Sequence, residues 1–248
     1  MYIEFIGPPG SGKSTMLSKL SNETNLPVYT YRNYIAKYMA ESCRGKYRRG
    51  AYKLHPKIAK CFGPDYRRDA FDEYISDNPD FIQALFQLAG KTQRKIQFFK
   101  WTRAGAERYQ VGVTSKRTSD IFCLNESFHH LGAHMITESE DTFHGNLNDK
   151  YFNLIPTPDL LIHVDADSNI CLDRQQGRDR NVSAIDTTVV DHSDALSVQA
   201  EFRKTCVKVR EKLDGETNVM EVDNSGDING PVSEIRNKIK ELYEPGEK

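Results

Sequence analysis

The chain has 248 residues, 38% of them hydrophobic and 28% charged, and a formal net charge of −1. This composition is typical of a soluble globular protein, long enough for one large α/β domain or two small ones. The five cysteines are scattered, odd in number and without C-x-x-C spacing, which indicates a reducing compartment and argues against a zinc site. No apolar run approaches a membrane span, and the first predicted strand begins almost at Met1, which argues against a signal peptide. We therefore expect a cytoplasmic protein with no membrane partner.

A glycine-rich motif lies directly after the first predicted strand. The run 3–6 has strand length and apolar character, and the stretch 13–22 after the motif has helical spacing. Between them the chain fits G-x-x-x-x-G-K-[ST] with Gly7, Pro8, Pro9, Gly10, Ser11, Gly12, Lys13 and Ser14. Glycines at such a turn let backbone N–H groups converge on phosphate oxygens, and the helix N-terminus adds partial positive charge.

This motif predicts a binding site for a nucleoside triphosphate. Lys13 can reach the outer phosphates, and the Ser14 hydroxyl suits Mg²⁺. The expected nucleotide contacts are the motif residues and Thr15, which follows them. An ordinary glycine-rich turn is the alternative, and the complete motif between a strand and a helix argues against it.

The elements after the motif alternate between strands and helices. Strands are predicted at 27–31, 121–124, 160–164 and 218–222, and helices at 80–100, 103–116, 168–176, 196–213 and 232–243. This alternation predicts an α/β fold, with a five-stranded parallel sheet covered by helices on both faces in a single domain 1–248. The helical stretch 33–118 between the second and third strands is predicted to be an insertion over the strand ends, where ligands bind in such sheets. Residues 177–192 lack apolar periodicity and predict a mobile loop.

Three further segments resemble the small P-loop kinases of the adenylate, thymidylate and deoxynucleoside kinase type. Residues 158–180 (PDLLIHVDADSNICLDRQQGRDR) resemble that family's fourth strand, the following helix and an arginine-bearing lid. Residues 219–226 (VMEVDNSG) resemble the fifth strand and the loop that holds the adenine, and residues 121–128 (IFCLNESF) resemble the third strand. The resemblance implies a P-loop NTPase fold, use of ATP and Mg²⁺, and nucleotide contacts from Asp223 and Gly226. It does not cover the insertion 33–118, which would bind the acceptor.

The sequence departs from the family at the end of the third strand. The family usually has Asp there, whereas this chain has Asn125 followed by Glu126. An amide cannot act as a base and is a weak partner for a water on Mg²⁺. Either Glu126 supplies the carboxylate for catalysis and for the metal, or the protein binds nucleotide and turns it over poorly. The alternative for Glu126 is a role beside a helix N-cap.

Three arginines are expected to serve the chemistry from a lid at 174–192. Phosphoryl transfer spreads negative charge over oxygens, and catalysis consists mostly of positioning and of cations aimed at that charge. Arg174 and Arg178 are four residues apart and would share a helix face, and Arg180 lies just beyond. The alternative is solvated surface arginine. Three further arginines could each contact the acceptor or lie on the plain surface, and the sequence favours neither interpretation: Arg32, Arg103 and Arg108.

Two other patterns leave alternatives open. Residues 44–68 contain nine lysines and arginines against one acidic residue, interleaved with aromatic residues. Such a stretch can grip an anionic acceptor or nucleic acid, or it can be a solvated helical insertion. His130 and His134 have i, i+4 spacing that suits a metal, with His129 beside them, but we favour ordinary surface histidines.

The leading hypothesis is an ATP-dependent kinase that moves the γ-phosphoryl group to a small acceptor such as a nucleoside or nucleotide. A nucleotide-dependent switch or regulatory ATP-binding protein is the first alternative, favoured by Asn125. A nucleic-acid end kinase or binder that uses 44–68 is the second, and it is not favoured. The sequence names neither the acceptor nor the oligomeric state.

Overall fold

The fold is that of a computed structural model, which describes residues 1–23, 26–30, 64–89, 95–115, 120–138, 145–177 and 192–243. Its centre is one sheet of five strands, β1 (Tyr2–Ile6), β2 (Val28–Thr30), β3 (Ile121–Asn125), β4 (Leu160–Asp165) and β5 (Asn218–Asp223). All four strand pairs are parallel, and the strand order is β2-β3-β1-β4-β5. The predicted five-stranded parallel sheet is confirmed.

Helices connect the strands, as parallel pairing requires. The described helices are α1 (Lys13–Glu23), α2 (Pro64–Asp77), α3 (Pro79–Ala89), α4 (Lys95–Ser115), α5 (Phe128–Glu138), α6 (Gly145–Phe152), α7 (Ser168–Gln176), α8 (His192–Leu213) and α9 (Asn229–Tyr243). Helices α2, α3 and α4 lie between β2 and β3 in the chain, so the predicted helical insertion at this point is present.

The helices form two layers, one on each face of the sheet. Helices α1 and α9 pack on one face, in a core cluster with Ile3 and Phe5 of β1. Helices α4, α5 and α8 pack on the other face, in a core cluster that contains Ile6 of β1 and Leu161 of β4. Successive side chains of a strand point to opposite faces, so the nearly continuous apolar strands supply both cores.

One predicted helix boundary is wrong. The sequence pattern predicted one helix over 80–100 and another over 103–116, whereas α3 ends at Ala89 and α4 runs without interruption from Lys95 to Ser115. Ile96 and Phe86, which the pattern placed on a buried face, are 73% and 59% exposed. The predicted boundary at 101–102 therefore lies inside α4, because successive helical segments can carry the same apolar spacing.

Helices α2, α5 and α6 were not predicted, and the reason is clearest in α5. Three histidines of this helix, His129, His130 and His134, are buried, so the expectation that they are surface residues is wrong. Their rings pack against Phe152 and Phe202. Because histidine reads as polar in a sequence, it concealed the buried face of the helix. Within the described ranges, no group of three His, Cys, Asp or Glu residues is placed to hold a metal ion.

None of the described helices is both long enough and apolar enough to cross a bilayer.

Candidate nucleotide-binding site

The glycine-rich motif forms a tight loop between the carboxyl end of β1 and the N-terminus of α1. Gly10 and Gly12 have φ values of 85° and 97°, which residues other than glycine rarely adopt. A Cβ at Gly10 would lie 2.1 Å from the carbonyl oxygen of Cys171, and one at Gly12 would lie 2.2 Å from the side-chain amide of Asn224. The loop is therefore pressed against α7 and the segment after β5, and no larger residue fits at either position.

Lys13 is buried inside this loop. Its ammonium group donates hydrogen bonds to the carbonyl oxygens of Gly7 at 2.7 Å and Pro8 at 2.9 Å. The positive charge lowers the pKa of His130, for which burial is the larger cause. The loop thus holds a cation beside the backbone turn, as an anion site requires.

Pro8 and Pro9 shape the loop through their carbonyls, because proline has no backbone N–H to donate to a phosphate. The Pro8 oxygen accepts from the backbone N–H of Ser11 at 3.1 Å, as well as from Lys13. No described group accepts a hydrogen bond from the backbone N–H of Gly10 or of Gly12. The Ser11 hydroxyl is also buried without a partner among the described residues. These unpaired donors fit the phosphates of a nucleotide.

Ser14 and Asn125 meet where α1 begins and β3 ends. The Asn125 amide nitrogen donates to the Ser14 hydroxyl oxygen at 2.7 Å. Ser14 and Thr15 are exposed at the first turn of α1. A magnesium ion usually keeps several waters and takes one or two protein oxygens, so the Ser14 hydroxyl and a nearby carboxylate make a fitting donor set.

Glu126 follows Asn125 directly and is the exposed carboxylate of this strand end. Its φ is 58°, the left-handed region, which is uncommon for a residue other than glycine. The side chain has no hydrogen-bond or ion-pair partner among the described residues. Backbone strain of this kind costs on the order of 1 kcal/mol and is concentrated at functional sites.

Arg174 lies on α7, beside the loop. One of its guanidinium nitrogens, Nη1, is buried and has no hydrogen-bond partner among the described residues. Burial raises the pKa of the Cys171 thiol, and the charge of Arg174 is among the effects that oppose this increase. The carbonyl of Cys171 lies against Gly10. Arg178 and Arg180, and most of the predicted lid 174–192, lie outside the described residues. So do Arg32 and residues 44–63 of the basic stretch.

Of the predicted adenine contacts, Asp223 is the last residue of β5 and Gly226 lies just beyond it, and a residue between them touches the loop. The Asp223 carboxylate accepts from the hydroxyl and the N–H of Ser225, at 2.6 and 2.9 Å, and these hydrogen bonds lower the pKa of Asp223. No atom of the described residues lies within 4 Å of the position that a Cβ of residue 226 would occupy, so Gly226 faces open space. Between them, Asn224 donates its amide N–H to the Ser11 carbonyl at 2.6 Å. No sequence pattern marks Asn224, because polar residues are common in such loops.

Asp165 and Asp167, two other acidic residues at and after the end of β4, have structural partners. Asp165, at the end of β4, receives two hydrogen bonds from the guanidinium of Arg203 on α8, one of them at 2.6 Å. Asp167 caps the N-terminus of α7 by accepting from the N–H of Asn169 at 2.8 Å. Glu126, unlike these two residues, has no partner among the described residues and is open to a ligand.

Glu4 is a buried carboxylate within residues 3–6, which were predicted to form an apolar strand. It accepts hydrogen bonds from the Tyr2 hydroxyl at 2.7 Å, from the His129 backbone N–H at 2.8 Å and from the His130 N–H at 3.3 Å. The ring nitrogen Nδ1 of His129 lies 2.9 Å from Oε2 of Glu4. The negative charge thus satisfies free N–H groups at the N-terminus of α5. This anchors the helix that follows the Asn125–Glu126 turn.

Two other features are an ion pair on α4 and a cavity at the opposite edge of the sheet. Arg103, a candidate acceptor contact, pairs with Glu107 at 2.8 Å on α4, and its guanidinium carbon lies 5.2 Å from the centre of the Phe71 ring. An open cavity of about 710 Å³ is lined by Met1, Pro158 and Asn218, among other residues. Those residues mark the amino-terminal edge of the sheet, opposite the glycine-rich loop, so the cavity is not part of this site.

Comparisons with known proteins agree on the fold. No protein-family model and no curated protein matches the sequence. Among solved structures, the chain is similar to deoxyadenosine kinase from M. mycoides with bound dCTP, with 15% identity, a TM-score of 0.53 and coverage of 97% of this chain and 99% of that one. It is also similar to thymidylate kinase from Candida albicans, with 15% identity, a TM-score of 0.52 and coverage of 98% and 92%. The chain therefore has the α/β P-loop fold of the nucleoside and nucleotide kinases.

Proposed function

We propose that this chain is an ATP-dependent phosphotransferase that moves the γ-phosphoryl group to a small acceptor, such as a nucleoside or a nucleotide. The observation that carries the proposal is the buried Nη1 of Arg174, which has no described partner and lies on the helix packed against the glycine-rich loop. A buried guanidinium nitrogen without a partner is unfavourable in a folded protein unless an anion binds beside it. The similarity to two nucleoside and nucleotide kinases supports the proposal at the level of the fold.

The loop residues would hold the nucleotide. The N–H groups of Gly10 and Gly12 would bind phosphate oxygens, and Lys13 would neutralise part of their charge. Asp223 and Gly226 would contact the base, as the resemblance implies. Ser14 and Glu126 would hold the magnesium ion, which supplies positive charge to the phosphates when it is bound.

The chemistry would depend on positioned charges rather than on a covalent step. Arg174 would stabilise the negative charge that spreads over the transferred group, with Arg178 and Arg180 of the lid in the same role. Glu126 would accept the proton of the acceptor hydroxyl or orient a water on the metal. The insertion 33–118 would select the acceptor.

A slow nucleotide-dependent switch is the second candidate, and one hydrogen bond favours it. The Asn125 amide donates to the Ser14 hydroxyl at 2.7 Å, where the resembling kinases usually have a carboxylate. In that case the protein would bind ATP and hydrolyse it without an acceptor. Binding of nucleic acid by 44–68 remains a prediction, and salt-dependent binding to an oligonucleotide would test it.

The decisive experiment is a transfer assay with γ-labelled ATP and Mg²⁺. Wild-type protein is incubated with a panel of nucleosides, nucleotides and no acceptor, and the label is followed into product and into inorganic phosphate. A kinase transfers label to at least one acceptor faster than it releases phosphate. Release of phosphate at one rate with every acceptor would support the switch instead. Lys13→Ala protein serves as the control for contaminating kinases.

A further inference from the structure

Two glutamine side chains from different helices meet at one carbonyl of the glycine-rich loop. The amide nitrogens of Gln175 on α7 and Gln199 on α8 donate to the Pro9 oxygen, at 3.0 and 2.5 Å. Both glutamines are buried, at 6% and 0% exposure. Asn224 makes the equivalent contact with the Ser11 oxygen at 2.6 Å and is 2% exposed. Three buried amides therefore hold two carbonyls of one short loop.

These amides are not the side chains that packing alone would favour. The second amide atom of each, the side-chain oxygen, is buried and has no hydrogen-bond partner among the described residues. A buried polar atom without a partner is unfavourable, and an apolar side chain of similar volume would avoid that penalty. If an amide were rotated by 180°, its oxygen would lie against a carbonyl oxygen and the two would repel. The observed orientation is therefore the one that allows a hydrogen bond to the loop.

The two contacts determine where the loop's N–H groups point. In a trans peptide unit the C=O and the following N–H point in opposite directions. Because the Pro9 oxygen is held toward α7 and α8, the Gly10 N–H is directed away from these helices. In the same way, the contact of Asn224 with Ser11 directs the Gly12 N–H away from Asn224. Neither of these N–H groups has a hydrogen-bond acceptor among the described residues.

We propose that Gln175, Gln199 and Asn224 are positioning residues for nucleotide binding, which hold the Gly10 and Gly12 N–H groups in the orientation that receives phosphate. The inference rests on the proposed function, in that the loop binds the phosphates of ATP. Preorganised donors bind an anion without first reorienting the backbone, so their loss appears mainly in affinity. Residues that only stabilise the fold would act on the melting temperature instead.

The test uses Gln175→Leu, Gln199→Leu and the variant that combines these two changes. Each is compared with the control variant Gln176→Leu. Gln176 is the exposed neighbour on the same helix and serves as the matched control. Calorimetry with a non-hydrolysable ATP analogue and Mg²⁺ is expected to show about tenfold weaker binding for each single variant, about 1.4 kcal/mol, and a larger loss for the double variant. The melting temperature is expected to stay at or above that of Gln176→Leu. In ¹H–¹⁵N spectra of the free protein, the Gly10 and Gly12 amide signals should broaden or split in the variants alone.

Gln199→Glu adds a rescue by pH that does not depend on the leucine variants folding. A protonated carboxyl group can donate to the Pro9 oxygen, whereas a carboxylate cannot. The ratio of wild-type to variant affinity is therefore expected to shrink as the pH falls from 8 to 5. Wild-type affinity in the single and double leucine variants, or a loss that follows the melting temperature, would overturn the positioning role. Wild-type protein that does not bind the analogue would overturn the proposed function itself, and the positioning role with it.

Discussion

His163 makes the stability of this protein depend on pH. Its side chain is fully buried on β4, and its Nδ1 lies 3.6 Å from a carboxylate oxygen of Glu221. Burial lowers the pKa of His163 from 6.5 to about 4, against an opposing effect of Asp165 and with further lowering by Arg210. The folded protein therefore holds this imidazole neutral over a range in which the unfolded chain is protonated.

The sign of the effect follows from the two pKa values. Above pH 6.5 both states are neutral at this position, and the full stability is present. As the pH falls from 6.5 toward about 4, the unfolded chain binds a proton that the folded protein excludes, so the free energy of unfolding decreases. At about 1.4 kcal/mol for each pKa unit, the loss is about 2 kcal/mol at pH 5 and approaches about 3 kcal/mol below pH 4.

His163→Leu is expected to remove this part of the pH dependence. Guanidinium unfolding of both proteins at pH 8 and pH 5 measures it, and wild type should lose about 2 kcal/mol more than the variant between the two pH values. The pKa of His130 is also lowered by burial, but His130 is present in both proteins and cancels in the difference. Equal pH dependence in wild type and His163→Leu would refute the reasoning.

The remaining predictions concern the loop, the strand end and the buried carboxylate. Lys13→Ala is expected to abolish binding of ATP·Mg²⁺ in calorimetry while the fold is retained in circular dichroism, because its ammonium group contacts loop carbonyls and belongs to neither core cluster. Glu126→Gln is expected to lower turnover by about a hundredfold or more in the labelled-ATP assay, with nucleotide affinity unchanged, whereas Asn125→Asp should be tolerated. Glu4→Leu leaves N–H groups of α5 without an acceptor, so guanidinium unfolding should show a loss of about 3–5 kcal/mol. Glu201→Leu, on an exposed position of α8, is its control and should stay within about 0.5 kcal/mol of wild type.

Each of these predictions has an outcome that contradicts it. Unchanged ATP affinity in Lys13→Ala would show that the loop is not a phosphate site. An active Glu126→Gln together with an inactive Asn125→Ala would assign the chemistry to Asn125 and favour the switch. A Glu4→Leu protein as stable as its control would show that α5 does not depend on the buried carboxylate.

Prediction from sequence worked best where the signal was local. The glycine-rich motif is contiguous, and β1 and α1 flank it as predicted. The five predicted strands were found because each is a short run of apolar residues between turn signals. Helix α7 was predicted over 168–176 and has those bounds, and the structure shows Asp167 as the N-cap at its start.

Prediction failed where polar residues are buried, because a polar letter in a sequence does not show whether its side chain faces solvent. Glu4 was read within an apolar run, yet it anchors α5 from the centre of the sheet. The histidines of α5 were read as surface residues, yet they lie in the core. In both cases burial is possible because other parts of the chain supply hydrogen-bond partners or aromatic packing.

The sequence by itself determined the glycine-rich loop, the positions of the strands along the chain and the type of fold, since these depend on neighbouring residues and on periodicity. Only the tertiary structure decided what surrounds the loop. The amides of Gln175, Gln199 and Asn224 reach it across sequence separations of 166, 190 and 213 residues. Parallel strands deliver their carboxyl ends to one edge of the sheet, so side chains far apart in the chain converge there. No local pattern records that convergence, because it arises only when the sheet is assembled.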